Sequence, residues 1–444
     1  MKVLFLTSKL GYGHTRAADA IEYALMEKVP NVETHHIDLW SLMDERVANS
    51  VKDGYLRMAR QYRDYYQKLY NLDVGLWRQL SGEEPADTAI REFLSTQQQK
   101  WFPDESHWLG VRRQNLDRAL INSLISLICS SHERGVSRKI ILRSILILMR
   151  TVLVNRLQER ISQFMPDIIV ATQMYPAGLL AQVKKKNNFR NIPTLGIITD
   201  FGLHGSWVHA SPDIYCAGCG ELFAQLTGRG ISQQRIHLTG IPLMPQFRRP
   251  PDMQTARRKL GIDPDRKTIA VTGGQYGIGI VEAVYDLVKA NADFQMLVTT
   301  GQSPAETTGL KHLAAGHASQ IHVFDWVEDM SAILGAADVV VGKPGGLSVS
   351  ESLACGRPFF ATCSLGGQEK HNIDFLTCQG VGGEVRPQNL AQTLKTLLNS
   401  ESQLSAMKRY AYALGQRNGA EKIAALAEKI WIDRKDGATS GASL

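Results

Sequence analysis

Two stretches of this chain, far apart in sequence, open in the same way, and that recurrence constrains the fold more than any other feature. Residues 2–8 form a short apolar run, followed by Gly11-Tyr12-Gly13-His14 and then a helical spacing of Ala17, Ala20, Ile21, Ala24 and Leu25. Near Lys267 the pattern begins again: Thr268–Thr272, the turn Gly273-Gly274-Gln275-Tyr276-Gly277-Ile278-Gly279, and a helix over Ile280–Ala290. Strand, glycine-rich turn, helix is the opening of a βαβ unit. Further strands are expected at Val32–Leu39, Ile168–Ala171 and Thr194–Thr199 in the first series. In the second they fall at Gln295–Thr299, His322–Phe324, Val339–Val341 and Phe359–Ala361. Strands alternating with helices imply an α/β fold with parallel sheets.

A chain of 444 residues is too long for one core, and two domains of roughly 200 residues each are expected. The Pro-rich segments Gly240-Ile241-Pro242 and Arg248-Arg249-Pro250-Pro251 mark the break. The expected division is therefore 1–245, 246–435, and a small polar tail, 436–444, that frays. Within the first domain, a basic helical insertion at about 45–160 interrupts the alternation. It holds Tyr55, Tyr62, Tyr65, Tyr66, Tyr70 and Trp77, then the apolar run Ile140–Leu142, Ile145–Met149 and Val152–Val154. Arg143 and Arg150 break that run well short of the roughly 20 residues a membrane span needs. With Arg138, Lys139, Arg156 and Arg160 around it, it suits either a membrane interface or a core helix whose arginines reach solvent.

Lys and Arg outnumber Asp and Glu by 50 to 43, a mild excess that fits an anionic small molecule or an acidic membrane surface and calls for no nucleic acid. Six cysteines are few for this length. Cys216 and Cys219 form one C-x-x-C without the second ligand pair a zinc site needs, so the thiols read as buried and no metal is expected. The opening apolar run is too short for a signal peptide, which favours the cytoplasm.

Three segments carry chemistry. Pro344-Gly345-Gly346 follows a buried strand and starts a helix through Leu347-Ser348-Val349-Ser350-Glu351. Backbone amides at such a turn bind phosphate without a metal. Ser348 can cap the helix or donate to a phosphate, and Glu351 can accept from both hydroxyls of a ribose. Gly366-Gly367-Gln368-Glu369-Lys370-His371-Asn372 then places Gln368 and Asn372 on one helical face, suited to sugar hydroxyls. The first turn, G-x-G-H, lacks the third glycine of a dinucleotide fingerprint. Asp38, at the end of its second strand, keeps a nicotinamide-dependent oxidoreductase open as an alternative.

Together these segments resemble the donor site of the monogalactosyldiacylglycerol synthase and diacylglycerol glucosyltransferase family, relatives of the peptidoglycan-precursor GlcNAc transferase. Gly11-Tyr12-Gly13-His14-x-x-Ala17-Ala18 is similar to the family's G-G-G-H-x-x-A-A loop, with Tyr12 where the family has glycine. Thr199-Asp200-Phe201-x-x-His204-x-x-Trp207-x-His209 and Thr239-Gly240-Ile241-Pro242 match in order. The resemblance implies a GT-B fold, two Rossmann-like domains facing a cleft, and an inverting transfer from a UDP-sugar, which is a substrate and not a cofactor. It places Glu351 on the ribose, Gly345, Gly346 and Ser348 near the diphosphate, and Gln368, Glu369 and Asn372 on the donor sugar. The main chain at Trp326-Val327 would meet the uracil, and Gly273 and Gly274 join the donor side. His14 would be the base, with Asp200 the second choice. Gly11, Gly13, His204 and Trp207 would lie toward the acceptor. The expected acceptor is a lipid, above all diacylglycerol, at the inner face of an anionic membrane. The alternatives within this architecture are GlcNAc transfer to a polyprenyl-linked precursor and a UDP-GlcNAc 2-epimerase.

Overall fold

The computed structural model describes residues 1–9, 11–43, 45, 48–49, 138–185, 189–289, 293–317, 320–364 and 366–440, with backbone alone at 138–149 and 437–440. Most of the expected insertion, from Tyr55 to Trp77 onward, lies outside these residues.

Two six-stranded sheets, parallel throughout, account for the two series. The first contains β1 (Lys2–Thr7), β2 (Glu33–Asp38), β3 (Ile168–Ala171), β4 (Thr194–Ile197), β5 (Ile214–Ala217) and β6 (Ile236–Leu238), in the order β2-β1-β3-β4-β5-β6. The second contains β7 (Thr268–Thr272), β8 (Gln295–Thr299), β9 (Ile321–Phe324), β10 (Val339–Gly342), β11 (Phe359–Ala361) and β12 (Gly382–Glu384). Its order, β9-β8-β7-β10-β11-β12 read from one edge, is that of a doubly wound dinucleotide-type sheet.

Both faces of each sheet are covered, so the strands are apolar without alternation. In β1 the two-residue period sends Val3 and Phe5 into one core cluster and Leu4 and Leu6 into another. The Leu4/Leu6 cluster extends through Ala270, Leu297, Val340 and Phe359 of the second sheet and joins the two halves. Ile269, Val271, Val339 and Val341 pack on the far side, against the helix Ile280–Lys289.

The described end of the insertion is the helix Arg138–Phe164. Its Val154, Leu157 and Ile161 are buried in the first core, and Arg156 donates to the Leu42 carbonyl at 2.6 Å, so this part serves the domain interior. Among the described residues no helix is long and apolar enough to cross a membrane. The last helix, Gly419–Ser440, follows the second sheet in sequence but packs on the first helix, Tyr12–Lys28. Ala420, Ile423, Ala424 and Ala427 are buried against Ala18, Ile21 and Leu25. Helical backbone thus runs past Asp436 to Ser440.

Strand order reverses between β1 and β3 in the first sheet and between β7 and β10 in the second. Ligands of such sheets bind beyond the carboxyl ends of the strands at that reversal. Those ends carry the His14 turn and Thr172 on one side, and the Gly273 turn and Lys343–Gly346 on the other.

Candidate active site

His14 stands in the first turn of the Tyr12–Lys28 helix. Its Nδ1 lies 2.9 Å from the Thr172 carbonyl oxygen and 3.1 Å from the Thr199 hydroxyl. A carbonyl only accepts, so Nδ1 carries the proton and Nε2 is left as the basic nitrogen. Protein surrounds the ring even though part of its surface is open. Burial first, and the nearby Lys343 charge, hold its pKa down to about 4.

Facing it, the Gly346–Ala354 helix starts directly beyond Pro344-Gly345. Gly346 has no room for a side chain, because a Cβ there would overlap the Thr199 carbonyl of the opposite half. Gly202 is equally confined, by the His371 side chain. The two halves therefore interlock where β4 ends. Asn372, fully buried, is the pin: its Oδ1 accepts from the Phe201 amide at 2.8 Å, and its Nδ2 donates to Asp200 Oδ1 at 3.0 Å and to the Pro344 carbonyl at 2.9 Å. Burial, opposed by the Asn372 hydrogen bond, lifts the Asp200 carboxyl to about 6. Glu369, also buried, is ion-paired with Lys343.

Beside this interlock an open cleft encloses about 810 Å³, its solvent-facing mouth included, a size suited to a nucleotide sugar. Tyr12, Gly13 and Arg16 line it from the first half; Gly274, Trp326, Val327, Ser348 and Glu351 line it from the second. The Tyr12 and Trp326 rings meet edge to face across it, with centroids 4.8 Å apart. Glu351 opens on the cleft but is otherwise enclosed, and desolvation pushes its carboxyl up to about 7, with Arg16 opposing.

The structure thus gathers Gly13, Gly274, Val327, Ser348 and Glu351 on one cleft. His14, Gly345, Gly346 and Asp200 are not among its lining residues: His14 adjoins Gly13 and meets the Thr199 hydroxyl, and Gly346 abuts the Thr199 carbonyl and Asp200. Gly273 folds against the Gly277–Ile278 backbone. Gln368 is half-exposed at the start of the Gln368–Cys378 helix. Asn372, expected on the donor sugar, has its amide committed to the protein instead. His204 caps the short helix Gly205–Ala210 by accepting from the Ser206 amide, and Trp207 is buried beside Gly196. Neither lines the cleft, and neither does Gly11, the residue before the first helix. Cys216 and Cys219 are buried free thiols, each pushed up to about 12 by burial. Asp38 accepts from the Lys9 amide at 2.8 Å. Sequence reasoning missed Arg16, Gln275 and Thr299 on the cleft wall. The one available signal for Arg16 was its place four residues after Tyr12, on the same helical face.

Residues 126–243 match the family model of monogalactosyldiacylglycerol (MGDG) synthase, and residues 268–426 match the glycosyltransferase family 28 C-terminal domain. The processive diacylglycerol beta-glucosyltransferase of Bacillus subtilis is 29% identical over 272 residues, 61% of this chain and 70% of that protein. Its namesake from Bacillus pumilus is 28% identical over 273 residues, with the same coverage. Among solved structures, MurG of Acinetobacter baumannii superposes with a TM-score of 0.54 at 12% identity, over 96% of this chain and 99% of that one. UDP-GlcNAc 2-epimerase of Neisseria meningitidis gives 0.52 at 12% identity, over 97% and 100%. These two likenesses establish the GT-B fold. The sequence matches on that fold show the chain's likeness to the monogalactosyldiacylglycerol synthase and diacylglycerol glucosyltransferase family and make it a UDP-sugar-dependent hexosyltransferase.

Proposed function

We propose that the chain transfers a hexose from a UDP-sugar to diacylglycerol, with inversion at the anomeric carbon, at the inner surface of an anionic membrane. The observation that carries this reading is the placement of His14. Its tautomer is set by the Thr172 carbonyl at 2.9 Å, and it directly follows Gly13, which lines a cleft whose opposite wall holds Ser348 and Glu351 of the helix that opens at Gly346. The relatives named for diacylglycerol glucosylation support the acceptor class.

In this reading uracil lies by Trp326-Val327, the ribose hydroxyls donate to Glu351, and the amides at the start of the Gly346–Ala354 helix, with Ser348, stabilise the diphosphate. Charge developing on the departing UDP is met by fixed dipoles, with no metal or cofactor required. With its pKa near 4, the His14 ring is unprotonated across the neutral range, so Nε2 is free to take the acceptor hydroxyl proton. Asp200, near 6 and beyond Thr199, is the second candidate for that proton. Gln368 and Glu369 lie on the donor-sugar side. Asn372 is assigned to holding the two halves together.

The test is stereochemical. The protein is given UDP-α-glucose or UDP-α-galactose with diacylglycerol vesicles, and the anomeric coupling of the glycolipid is read by NMR. A β-linked product is expected; an α-linked product overturns inversion, and free hexose or an epimerised UDP-sugar with no glycolipid overturns lipid transfer.

A further inference from the structure

The wall of the cleft poses a charge problem. Among the described residues lining it, the charged side chains are Arg16, Asp325, Glu328 and Glu351: one guanidinium against three carboxylates. Asp325 is already balanced by Lys311 at 2.9 Å. A UDP-sugar adds a doubly negative diphosphate, and burying such charge without a cation is unfavourable. Backbone dipoles meet part of this demand, and a single arginine in reach decides much of the remainder.

Arg16 comes from the half expected to face the acceptor. It stands one turn beyond Tyr12 on the same helical face, close enough for its charge to act on the Tyr12 hydroxyl. It leans across the cleft, donating through Nη2 to the Glu328 main-chain carbonyl at 2.9 Å. Its ion pair with the Glu328 carboxylate is long, 3.7 Å, and Glu328 is 72% exposed, so this pair binds weakly and is easily exchanged. Tyr12 and Trp326, touching edge to face, bring the same two segments together.

We infer that Arg16 is a donor-binding residue contributed by the first half: on arrival of the nucleotide its guanidinium leaves the Glu328 carboxylate for the diphosphate. This rests on the proposed UDP-sugar reading and deepens it. The consequence is mechanical as well as electrostatic. Arg16 shares a helix turn with His14, so the contact that neutralises the donor also seats the proposed base against it. Tyr12 serves the same contact by holding the guanidinium toward the cleft, which gives a purpose to the aromatic residue that replaces the family's glycine.

The experiment is calorimetric titration of the full chain with uridine, UMP and UDP, comparing wild type with Arg16→Gln, Arg16→Lys and Glu328→Gln. Arg16→Gln should weaken UDP about ten- to a hundredfold, as loss of charge-assisted hydrogen bonds does, and leave uridine unchanged. Arg16→Lys should recover part of the loss. Glu328→Gln, which removes the competing carboxylate, should tighten UDP by about twofold to fivefold. Equal weakening of uridine and UDP by Arg16→Gln would mean that the residue only supports the fold, and unchanged UDP binding would mean that it is not a ligand; either overturns the inference alone. Wild-type protein that binds none of the three compounds would remove the UDP-sugar reading itself, and the inference with it.

Discussion

Asn372→Ala offers the sharpest separation between two jobs for one residue. On the sequence, this side chain belongs on the donor sugar. In the structure it is fully buried, and three hydrogen bonds of 2.8, 3.0 and 2.9 Å tie it to Phe201, Asp200 and Pro344. Each such bond contributes about 1 kcal/mol net, and the buried groups left behind keep their desolvation penalty. Two of the three bonds cross between the halves, so the interlock should weaken by roughly 2 kcal/mol, about a 30-fold rise in the population open at this contact. The Phe201 amide reports it directly, because it donates to the Asn372 side-chain oxygen. Hydrogen–deuterium exchange of the peptide around residue 201 should accelerate by about thirtyfold, while UDP affinity moves little. Unchanged exchange at Phe201 together with a lost dependence on the donor sugar would refute the reasoning and return Asn372 to the substrate.

Replacing Gly346 by Ala drives a methyl into the Thr199 carbonyl and should cost about 1–3 kcal/mol of stability, seen as a lowered denaturation midpoint. His14→Ala should lower kcat by roughly 10²- to 10⁴-fold with donor affinity nearly intact; near-normal turnover would remove it from the mechanism. Glu351, held near 7, accepts from both ribose hydroxyls most strongly once ionised, so UDP affinity should rise as pH climbs through about 7, and Glu351→Gln should abolish that rise while weakening binding. The raised carboxyls of Asp200 and Glu351 favour the fold at pH below the ordinary carboxylate range and lose that contribution as pH rises through about 6 and 7. His14 and His204, both held near 4, favour the fold above the ordinary histidine range and lose that contribution as pH falls through about 4. Binding to anionic vesicles should weaken as salt is raised, and equal binding to neutral vesicles would refute a role for the basic insertion.

The strands that could be read correctly in advance are continuous apolar runs with clear punctuation. Ile168–Ala171, Thr268–Thr272, Gln295–Thr299 and Phe359–Ala361 match their observed bounds. Those missed are short or atypical: Ile214–Ala217 has four residues and runs into the C-x-x-C motif at Cys216, Ile236–Leu238 has three residues, and Gly382–Glu384 begins with two glycines. Parallel pairing across the sheet, not local propensity, makes these last segments strands. Within the site, a turn such as Pro344-Gly345-Gly346 is visible because its chemistry is local. The Asn372 interlock was not, since its partners lie 171 and 172 residues away and meet only when the two halves dock. The same holds for Trp207, whose motif position pointed to the acceptor while its packing on Gly196 puts it in the core.

Everything proposed for this chain requires that a nucleotide sugar held between the halves pass its hexose to a lipid beside His14. Release of UDP from a panel of radiolabelled UDP-sugars, measured with and without diacylglycerol vesicles, tests it most directly. Release should depend on lipid, be matched by label entering the organic phase, and collapse in His14→Ala. Release that is indifferent to lipid, or label that never enters the lipid fraction, would contradict it.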